Sequence, residues 1–459
     1  MVKAFVLAGT HSGVGKTSIS IALMSYFKQI GYQVQPFKVG PDYIDPSYHS
    51  YVTGRKSRNL DSWLLSEDKV KELFNKASYN ADIAIVEGVM GLFDGFGGTS
   101  ELGSTAHIAK ILNLPVILII NGSSMSRSAA ALVKGFKDLD PKVNVAGVIL
   151  NQVGSEGHGN LLREAIESLV GIPVLGILQK GSLISLPSRH LGLIPMSERQ
   201  NLHGDFQKLG LIIKDRIEIR SLLEIAAEID SSQIINESFN KPSKPKFKGL
   251  RVAVAQDEAF SFYYEDNLEY LRDNGVELEF FSPIHDSKLP SADGYIFGGG
   301  FPELYLDALA NNLDMKSAIH KANKAKRPIY AECGGFMYLT EAIVNFEGKE
   351  YPMVGLLPGK CAMQKKRAAL GYYQGKALKD NLLMKAGDRV RGHEFHYSIH
   401  LGEEVERDYA FQLGKNPKDF TRLEGYASDN ILASYLHLHW HSNENWIYNF
   451  LSKMNQATK

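Results

Sequence analysis

The fold of the amino-terminal half is decided by a glycine-rich stretch that directly follows an apolar run, Phe5-Val6-Leu7-Ala8-Gly9-Thr10-His11-Ser12-Gly13-Val14-Gly15-Lys16-Thr17-Ser18. The apolar run predicts a buried strand, and the residues after the glycines predict a helix. Backbone N–H groups at the start of such a helix can hold phosphate oxygens, while a lysine and a hydroxyl at this spacing suit terminal phosphates and magnesium. The stretch therefore predicts a phosphate-binding loop. Its predicted ATP-binding residues are Gly13, Val14, Gly15, Lys16, Thr17 and Ser18.

Short apolar runs alternate with longer amphipathic stretches up to about residue 240. This alternation predicts buried parallel strands joined by helices. The helices are expected at 17–30, 65–77, 105–113, 126–138 and 158–170. Residues 241–248 are polar and rich in lysine, a composition that stays solvated, and a second alternating pattern follows them. We therefore expect an α/β chain with domains at 1–240 and 249–459, joined by a linker at 241–248.

The overall composition excludes several classes of protein. Lys and Arg number 51 and Asp and Glu number 51, so the formal net charge of 0 gives no general attraction for nucleic acid or an anionic membrane. Only two cysteines are present, too few for a disulfide scaffold and consistent with a reducing cytosol. No apolar run approaches the roughly 18–20 residues that span a membrane. We expect a cytoplasmic protein that binds neither nucleic acid nor membrane.

Charged side chains follow two further predicted strands. Lys38, Asp42 and Asp45 are expected on one loop, because Gly40-Pro41 ends the preceding strand. Glu87 directly follows another apolar run, and Asp94 comes seven residues later. The carboxyl ends of parallel strands form the edge at which ligands bind in such sheets. These residues are therefore candidates for binding substrate or metal, with a loop cap or a solvated charge as the alternative for each acid.

Three other polar residues have expected roles at the same edge. Asn151 directly follows the apolar run 148–150 and is expected either to contact the adenine ring or to form a turn. Lys16 would neutralise the terminal phosphates. Lys38 would serve as a second cation for phosphate or for a substrate carboxylate.

The phosphate loop resembles one class of nucleotide-binding enzyme more than another. Switch ATPases of the partitioning class carry a lysine where this chain has His11. Apart from Ser12, the loop is similar to that of dethiobiotin synthetase, an enzyme that phosphorylates a carboxylate. Such chemistry needs magnesium to offset phosphate charge, so we predict Thr17, Asp42 and Glu87 as its ligands, directly or through water. The same resemblance implies a homodimer as the assembly to test.

A cysteine lies on a predicted strand-to-helix turn in the second half, within Ala331-Glu332-Cys333-Gly334-Gly335. Such a turn exposes the thiol, while the helix start is expected to lower its pKa and to supply N–H donors for an oxyanion. A second strand ends in Gly298-Gly299-Gly300, and a late segment reads Ser434-Tyr435-Leu436-His437-Leu438-His439. This order predicts Cys333 as the nucleophile and His437 as the base. The expected oxyanion and glutamine-binding residues are Gly299, Gly300 and Gly334.

These three motifs together resemble the triad-type, class I glutamine amidotransferase domain. Its usual third member, an acid two residues beyond the histidine, is replaced here by His439. The cobyric and cobyrinic acid amidotransferase branch shares that departure, so the partner that orients the histidine stays open. His439 is the alternative base, and His437 is favoured because it directly follows Ser-Tyr-Leu, as in that branch.

With the segments 37–46, 59–61 and 392–398 included, the chain resembles the cobyrinic acid a,c-diamide synthase family over nearly its whole length. The resemblance implies a P-loop NTPase sheet followed by a class I glutamine amidotransferase-like α/β domain, with Asp42, Glu87 and Asp94 in the synthetase site. His393 and His396 are then expected to belong to a domain signature rather than to a metal site.

Members of that family use ATP, magnesium and glutamine to convert the a- and c-acetate side chains of a corrinoid to amides. The resemblance therefore implies acyl phosphate intermediates, and ammonia released from glutamine by a Cys-His site. Nickel-sirohydrochlorin or cobyric acid would be alternative tetrapyrrole substrates for the same chemistry. Outside the enzymes, the alternative is a regulatory P-loop ATPase with an inert second domain.

Overall fold

The computed structural model describes residues 1–183, 188–189, 192–198, 203–230, 247–402, 408–416 and 419–457. The chain forms two compact units, residues 1–240 and 241–459. Most of the predicted linker at 241–248 lies outside the described residues. In the part of the chain that the structure describes, no helix has the length and apolarity needed to cross a membrane.

The first unit is built on a mostly parallel sheet. Its strands are β1 (Val2–Gly9), β2 (Val34–Val39), β3 (Arg58–Leu60), β4 (Ile83–Glu87), β5 (Val116–Asn121), β6 (Val145–Val153), β7 (Val174–Gln179) and, after a separate pair β8 (Ser188–Arg189) and β9 (Gly192–Leu193), β10 (Ala227–Ile229). The strand order is β3-β2-β4-β1-β5-β6-β7, and β10 pairs antiparallel with the start of β1. Residues 116–120 are all fully buried, as expected for a strand covered by helices on both faces.

The helices of the first unit follow the predicted pattern. They are α1 (Lys16–Gln29), α2 (Ile44–Thr53), α3 (Glu67–Ser78), α4 (Thr105–Leu112), α5 (Ser128–Asp138), α6 (Glu156–Val170), α7 (His203–Arg216) and α8 (Ile219–Ile225), with a 3-10 turn at Met196–Glu198. The five predicted helices correspond to α1, α3, α4, α5 and α6, with both ends within two residues of their expected positions. Serine side chains at 66, 104 and 155 accept hydrogen bonds from the first turns of α3, α4 and α6, and so fix where these helices begin.

The expected loop that would carry Lys38, Asp42 and Asp45 is shorter than predicted. Lys38 lies inside β2, and Asp45 lies in the first turn of α2, so only Asp42 is a loop residue. The cause is local, because Asp42 Oδ1 accepts hydrogen bonds from the N–H groups of Ile44 at 2.7 Å and Asp45 at 3.3 Å. These bonds satisfy two otherwise free donors, and Pro46 fits the first turn of the helix.

The second unit contains a mixed sheet and a smaller four-stranded sheet. Its strands are β11 (Arg251–Ala255), β12 (Glu277–Phe281), β13 (Gly294–Phe297), β14 (Ile329–Glu332), β15 (Thr340–Val344), β16 (Glu350–Pro352), β17 (Leu357–Met363), β18 (Ala369–Ala377), β19 (Arg389–His396), β20 (Ser398–Leu401), β21 (Tyr409–Gly414), β22 (Arg422–Ala427) and β23 (Ile431–Ser434). The order β12-β11-β13-β14-β23-β22-β21-β18-β19 is parallel up to β23 and antiparallel beyond it. The smaller sheet has the order β16-β15-β17-β20.

Helices cover the parallel part of the larger sheet. They are α9 (Glu265–Asp273), α10 (Leu306–Asn311), α11 (Leu313–Lys324), α12 (Gly334–Leu339) and α13 (Glu444–Ala457), with 3-10 turns at Pro302–Leu304 and Trp440–Ser442. The structure thus confirms the α/β fold predicted for both halves. Because β14 and β23 are parallel neighbours with Glu332 opposite Ser434, the residues that follow them leave the sheet at the same edge. Cys333 and His437 are among these residues.

Candidate active sites

The phosphate loop joins β1 to α1 through backbone that favours glycine. Gly15, which precedes α1, has φ 105°, in the left-handed region. A Cβ atom there would lie 2.3 Å from Asn151 Nδ2. That nitrogen donates to the carbonyl of Val14 at 2.8 Å, and Asn151 is buried. Asn151 thus supports the loop through its amide nitrogen, and its predicted contact with adenine stays a prediction.

Lys16, the first residue of α1, turns its ammonium group back toward the loop. Its Nζ donates to the carbonyl of His11 at 3.1 Å and to that of Met90. Burial and the nearby charge of Lys38 lower the pKa of Lys16 to about 8. The ammonium is therefore held by neutral carbonyls in a site where phosphate oxygens would be stronger acceptors.

Behind the loop lies a buried group that we call the acidic cluster, made of Thr17, Lys38, Asp45, His49 and Glu87. The Thr17 hydroxyl donates to Glu87 Oε1 at 2.7 Å and to Asp45 Oδ2 at 3.2 Å. The same two oxygens accept from Lys38 Nζ, at 2.8 Å and 2.5 Å respectively. On the far side of the carboxylate, Glu87 Oε2 lies 2.7 Å from His49 Nε2.

The two carboxyl groups of the acidic cluster have pKa values shifted in opposite directions. Burial would raise the pKa of Glu87, but the charge of Lys38 and the hydrogen bond with His49 hold it well below its ordinary value. Burial and the neighbouring charge of Asp42 raise the pKa of Asp45 to about 8, although Lys38 opposes them. Burial would also lower the pKa of Lys38, and the two carboxylates instead raise it. Glu87 is therefore a fixed anion, whereas Asp45 is the carboxyl group that resists ionisation.

The donor atoms of the acidic cluster fit magnesium, which prefers oxygen ligands. Oxygen atoms of Thr17, Asp45 and Glu87 meet within hydrogen-bond distance of one another. Of the predicted ligand set, the structure brings Thr17 and Glu87 together, whereas Asp42 Oδ1 is engaged in capping α2. Asp94 is exposed after β4, where its Oδ2 accepts from the N–H of Gly91 at 2.9 Å.

His49 is the member of the acidic cluster that the sequence analysis missed. It is fully buried and follows Asp45 by four residues on α2. Residues four apart share one face of a helix, so this spacing could have indicated it. Among the described residues, including those of the acidic cluster, His393 and His396, no group of three or more His, Cys, Asp or Glu side chains could hold a metal ion by itself.

In the second unit, Cys333 occupies a strained turn between β14 and α12. Its φ of 46° and ψ of −104° are unusual for a residue with a side chain. Its N–H donates to the carbonyl of Ser434 at 2.8 Å, which ties the turn to the neighbouring strand. This is the conformation expected of a nucleophile at a strand-to-helix elbow.

The prediction that the start of α12 lowers the pKa of Cys333 was wrong. Burial raises the pKa of this thiol well above its ordinary value, and the negative charge of Glu303 raises it further. The N–H of Gly334 acts in the opposite direction but does not prevail, because α12 is only six residues long and the thiol is 5 % exposed. The thiol is therefore neutral in this state, and its activation requires a base.

His437 lies three residues beyond β23 and is almost fully buried. Its backbone N–H and C=O exchange hydrogen bonds with His393, at 2.9 Å and 3.1 Å. Its Nδ1 lies 3.4 Å from Glu332 Oε2. The other side of the ring packs against Gly299, where an added Cβ would lie 2.5 Å from Cε1 and 3.3 Å from Nε2.

His439, the alternative base, has different surroundings. Its Nε2 is 3.9 Å from Asp266 Oδ2, and its ring packs on Tyr264 with centroids 4.8 Å apart. It is fully buried. These contacts place its ring against α9 and the residue before that helix, whereas His437 packs on the glycine-rich strand end.

The predicted oxyanion glycines lie close together. A Cβ atom on Gly334 would lie 3.1 Å from the backbone nitrogen of Gly300. Gly300 itself has no room for a side chain, because its Cβ would lie 2.0 Å from the carbonyl oxygen of Ala259. Gly299, the residue before it, contacts His437. The structure therefore brings Gly300 and Gly334 together and places the neighbouring Gly299 against the Cε1 and Nε2 atoms of the His437 ring.

Comparisons with known proteins agree with this division of the chain. Residues 5–194 match the family described as the CobQ/CobB/MinD/ParA nucleotide binding domain, and residues 251–445 match the CobB/CobQ-like glutamine amidotransferase domain. A protein of Priestia megaterium named cobyrinate a,c-diamide synthase is 46% identical over 459 residues, which are 100% of this chain and 98% of that protein. Proteins of the same name from Streptococcus sanguinis and Dehalococcoides mccartyi are 44% and 46% identical, covering 99% and 97% of this chain and 100% and 97% of theirs.

Proposed function

We propose the reaction of this chain from the premise that it belongs to the cobyrinate a,c-diamide synthase family, and is therefore a glutamine-hydrolysing ligase that forms amides. We propose that it converts the a- and c-acetate carboxylates of cobyrinic acid, or of a closely related corrinoid, to amides, with ATP and glutamine as cosubstrates. The observation that carries the proposal is the similarity to these relatives over the whole length of both units.

The first unit would activate the carboxylate. A carboxylate is a poor electrophile, so the γ-phosphoryl group of ATP is transferred to its oxygen, giving an acyl phosphate and ADP. Ammonia then attacks the acyl carbon, and phosphate leaves. Lys16 would bind the phosphate oxygens and offset the charge that develops on them.

Magnesium would be held by the oxygen atoms of Thr17, Asp45 and Glu87, where it would supply positive charge beside the phosphates. Lys38 keeps both carboxylates in place, with Nζ contacts of 2.5 Å and 2.8 Å. His49 holds the outer oxygen of Glu87. The residues of the acidic cluster would therefore act mainly by keeping the oxygen donors fixed beneath the loop.

The second unit would release ammonia from glutamine. Cys333 gives its proton to His437, and the thiolate attacks the side-chain carboxamide. Backbone N–H groups at Gly300 and Gly334 would stabilise the oxyanion. His437 then protonates the leaving nitrogen, ammonia departs, and water hydrolyses the remaining γ-glutamyl thioester.

Two substitutions test whether the first unit activates the carboxylate and the second releases ammonia. Cys333→Ala should abolish amidation driven by glutamine and leave amidation driven by added ammonia largely intact. Lys16→Ala should abolish both reactions, because it acts before either nitrogen source is used. Glutamine-driven turnover in Cys333→Ala, or ammonia-driven turnover in Lys16→Ala, would contradict the assignment.

Analysis of the products tests which tetrapyrrole is the substrate. Mass spectrometry after incubation with ATP, glutamine and cobyrinic acid should show two successive mass changes of carboxylate to amide. Nickel-sirohydrochlorin and cobyric acid, offered separately, decide whether another tetrapyrrole is preferred. ATP hydrolysis that is independent of any tetrapyrrole and of glutamine would favour a regulatory ATPase instead.

A further inference from the structure

We propose that Glu332 is the positioning acid of the glutaminase site, replacing the acid that the amidotransferase pattern lacks at position 439; this inference rests on the proposed roles of Cys333 and His437. Glu332 is the last residue of β14 and directly precedes the cysteine in sequence. The acid and the nucleophile would then come from consecutive residues of one strand end, and the base from the end of the next strand.

The Glu332 carboxylate is fixed by contacts on both oxygen atoms. Oε1 accepts hydrogen bonds from the N–H of Leu438 at 3.0 Å and from the hydroxyl of Tyr330. Oε2 lies 3.4 Å from His437 Nδ1. The residue is 7 % exposed, so water screens this charge little. A buried carboxylate held in this way can orient an imidazole ring.

The ring orientation of His437 matches this role. Nδ1 faces Glu332, while Cε1 and Nε2 face Gly299, next to the Gly300 and Gly334 backbone. A carboxylate at Nδ1 favours the tautomer that carries its proton there. Nε2 is then the acceptor, and it lies in the part of the ring that packs against Gly299. This is the arrangement that a base needs in order to receive the thiol proton.

The other buried acids near this edge are engaged differently. Asp266 lies 3.9 Å from His439 Nε2. Glu394 pairs with Arg422 and lies 3.4 Å from His396. Glu424 accepts from the Ser434 hydroxyl at 2.6 Å and from the Tyr435 N–H at 2.7 Å, so it supports the segment that carries His437 rather than its ring.

The charge of Glu332 has a specific use in the reaction. Burial opposes a free thiolate at Cys333, and the site carries no lysine or arginine among the contacts described for this thiol. When the proton moves to His437, an imidazolium forms beside Glu332 and a thiolate forms beside the Gly334 N–H. The carboxylate stabilises the imidazolium of that ion pair, which His393 also faces. Burial and the charges of Glu303, Glu394 and Glu332 itself raise the pKa of the thiol, so Glu332 favours the pair through the imidazolium and not through the thiolate.

The test follows the alkylation of Cys333 by iodoacetamide as a function of pH in the full chain, measured by peptide mass spectrometry. Glu332→Gln keeps the shape of the side chain and removes its charge. We expect the midpoint of alkylation to move to higher pH, and kcat for glutamine hydrolysis to fall on the order of a hundredfold with KM unchanged. Asp266→Asn, which removes a buried acid facing His439, is the matched control and should leave the midpoint where it is.

A second measurement needs no substitution of Glu332. In protein labelled with 15N-histidine, the signals of His437, assigned by comparison with His437→Gln, should show the Nδ1–H tautomer at neutral pH. An Nε2–H tautomer would overturn the proposal, as would an alkylation midpoint in Glu332→Gln that stays unchanged or moves to lower pH, or a shift in Asp266→Asn alone. Glutamine hydrolysis that survives in Cys333→Ala would instead refute the proposed function itself, so the two failures are distinguishable.

Discussion

Replacing Lys38 with methionine should destabilise the first unit strongly. The Lys38 ammonium contacts Asp45 and Glu87 at 2.5 Å and 2.8 Å, and the lysine side chain is only 4% exposed. Methionine fills a similar volume but leaves the buried Glu87 anion without its cation, and the Asp45 carboxyl group without its lysine partner. Removing one partner of a buried ion pair costs roughly 3–5 kcal/mol. That loss is a large part of the roughly 5–15 kcal/mol by which domains are usually stable.

Lys134→Met is the matched control, because it is the same substitution in an exposed ion pair. Lys134 contacts Asp138 at 2.6 Å on the surface of α5, with side chains 61% and 50% exposed. Such pairs contribute less than about 1 kcal/mol. The assay is urea unfolding of the full chain, followed by hydrogen exchange in peptides from residues 1–183. The expected result is a clear fall in the unfolding free energy for Lys38→Met and almost none for the control.

The pH dependence gives a second check on the same variant. The pKa of Glu87 is held below its ordinary value of 4.5, so its stabilising contribution is present above that pH and is lost as the pH falls through the lower, folded-state value. In Lys38→Met that contribution is missing at neutral pH. The difference in unfolding free energy between the two proteins should therefore narrow only as the pH falls below 4.5, toward the folded-state pKa of Glu87. Equal losses for the two lysine variants, or a difference that widens in acid, would refute the reasoning.

Three further predictions concern function. Because burial and Lys38 lower the pKa of Lys16 to about 8, ATP affinity measured by calorimetry should weaken between pH 7 and pH 9, whereas Lys16→Arg should lose most of that dependence. His437→Asn should abolish ammonia release from glutamine and His439→Asn should reduce it far less; the reverse outcome would make His439 the base. Gly300→Ala should lower the midpoint of thermal unfolding, at a cost of about 1–3 kcal/mol, and abolish glutamine hydrolysis, because the new Cβ would lie 2.0 Å from a carbonyl oxygen.

The sequence predicted the parallel core because its strands are short, uniformly apolar and separated by helices of ordinary length. The antiparallel strands β18 to β22 were not predicted, and in β18 the reason is that exposed and buried residues do not alternate cleanly. Several consecutive residues of this strand are half-buried. A strand whose two faces are both partly covered carries no clear period in its sequence.

Some residues of the two candidate sites could be predicted from the sequence, and others could not. Thr17, Glu87 and Cys333 are indicated by local patterns, because each lies one or two residues beyond an apolar run or a glycine turn. His49 and Glu332 were missed because their roles depend on partners 38 and 105 residues away in sequence. Asp42 and Asp45 could not be ranked from sequence, since the start of α2 between them is decided by a capping hydrogen bond. Spacing along the sequence identifies candidate site residues, but which of them contact one another is decided by the fold.

Both units place a glutamate at the last position of a buried parallel strand, and both place a histidine against it. Glu87 ends β4 and contacts His49 at 2.7 Å, whereas Glu332 ends β14 and lies 3.4 Å from His437. The two pairs differ in the groups that lie on their other side, and these groups decide whether the carboxylate or the histidine would take part in the reaction. In the first unit the carboxylate also faces Lys38 and the Thr17 hydroxyl, so the histidine holds an anion that would serve the proposed magnesium site. In the second unit the histidine faces the glycine-rich strand end beside the cysteine turn, so the carboxylate would hold the proposed base. In the proposed function, the same pair of residue types would therefore support electrostatic catalysis at one sheet edge and proton transfer at the other.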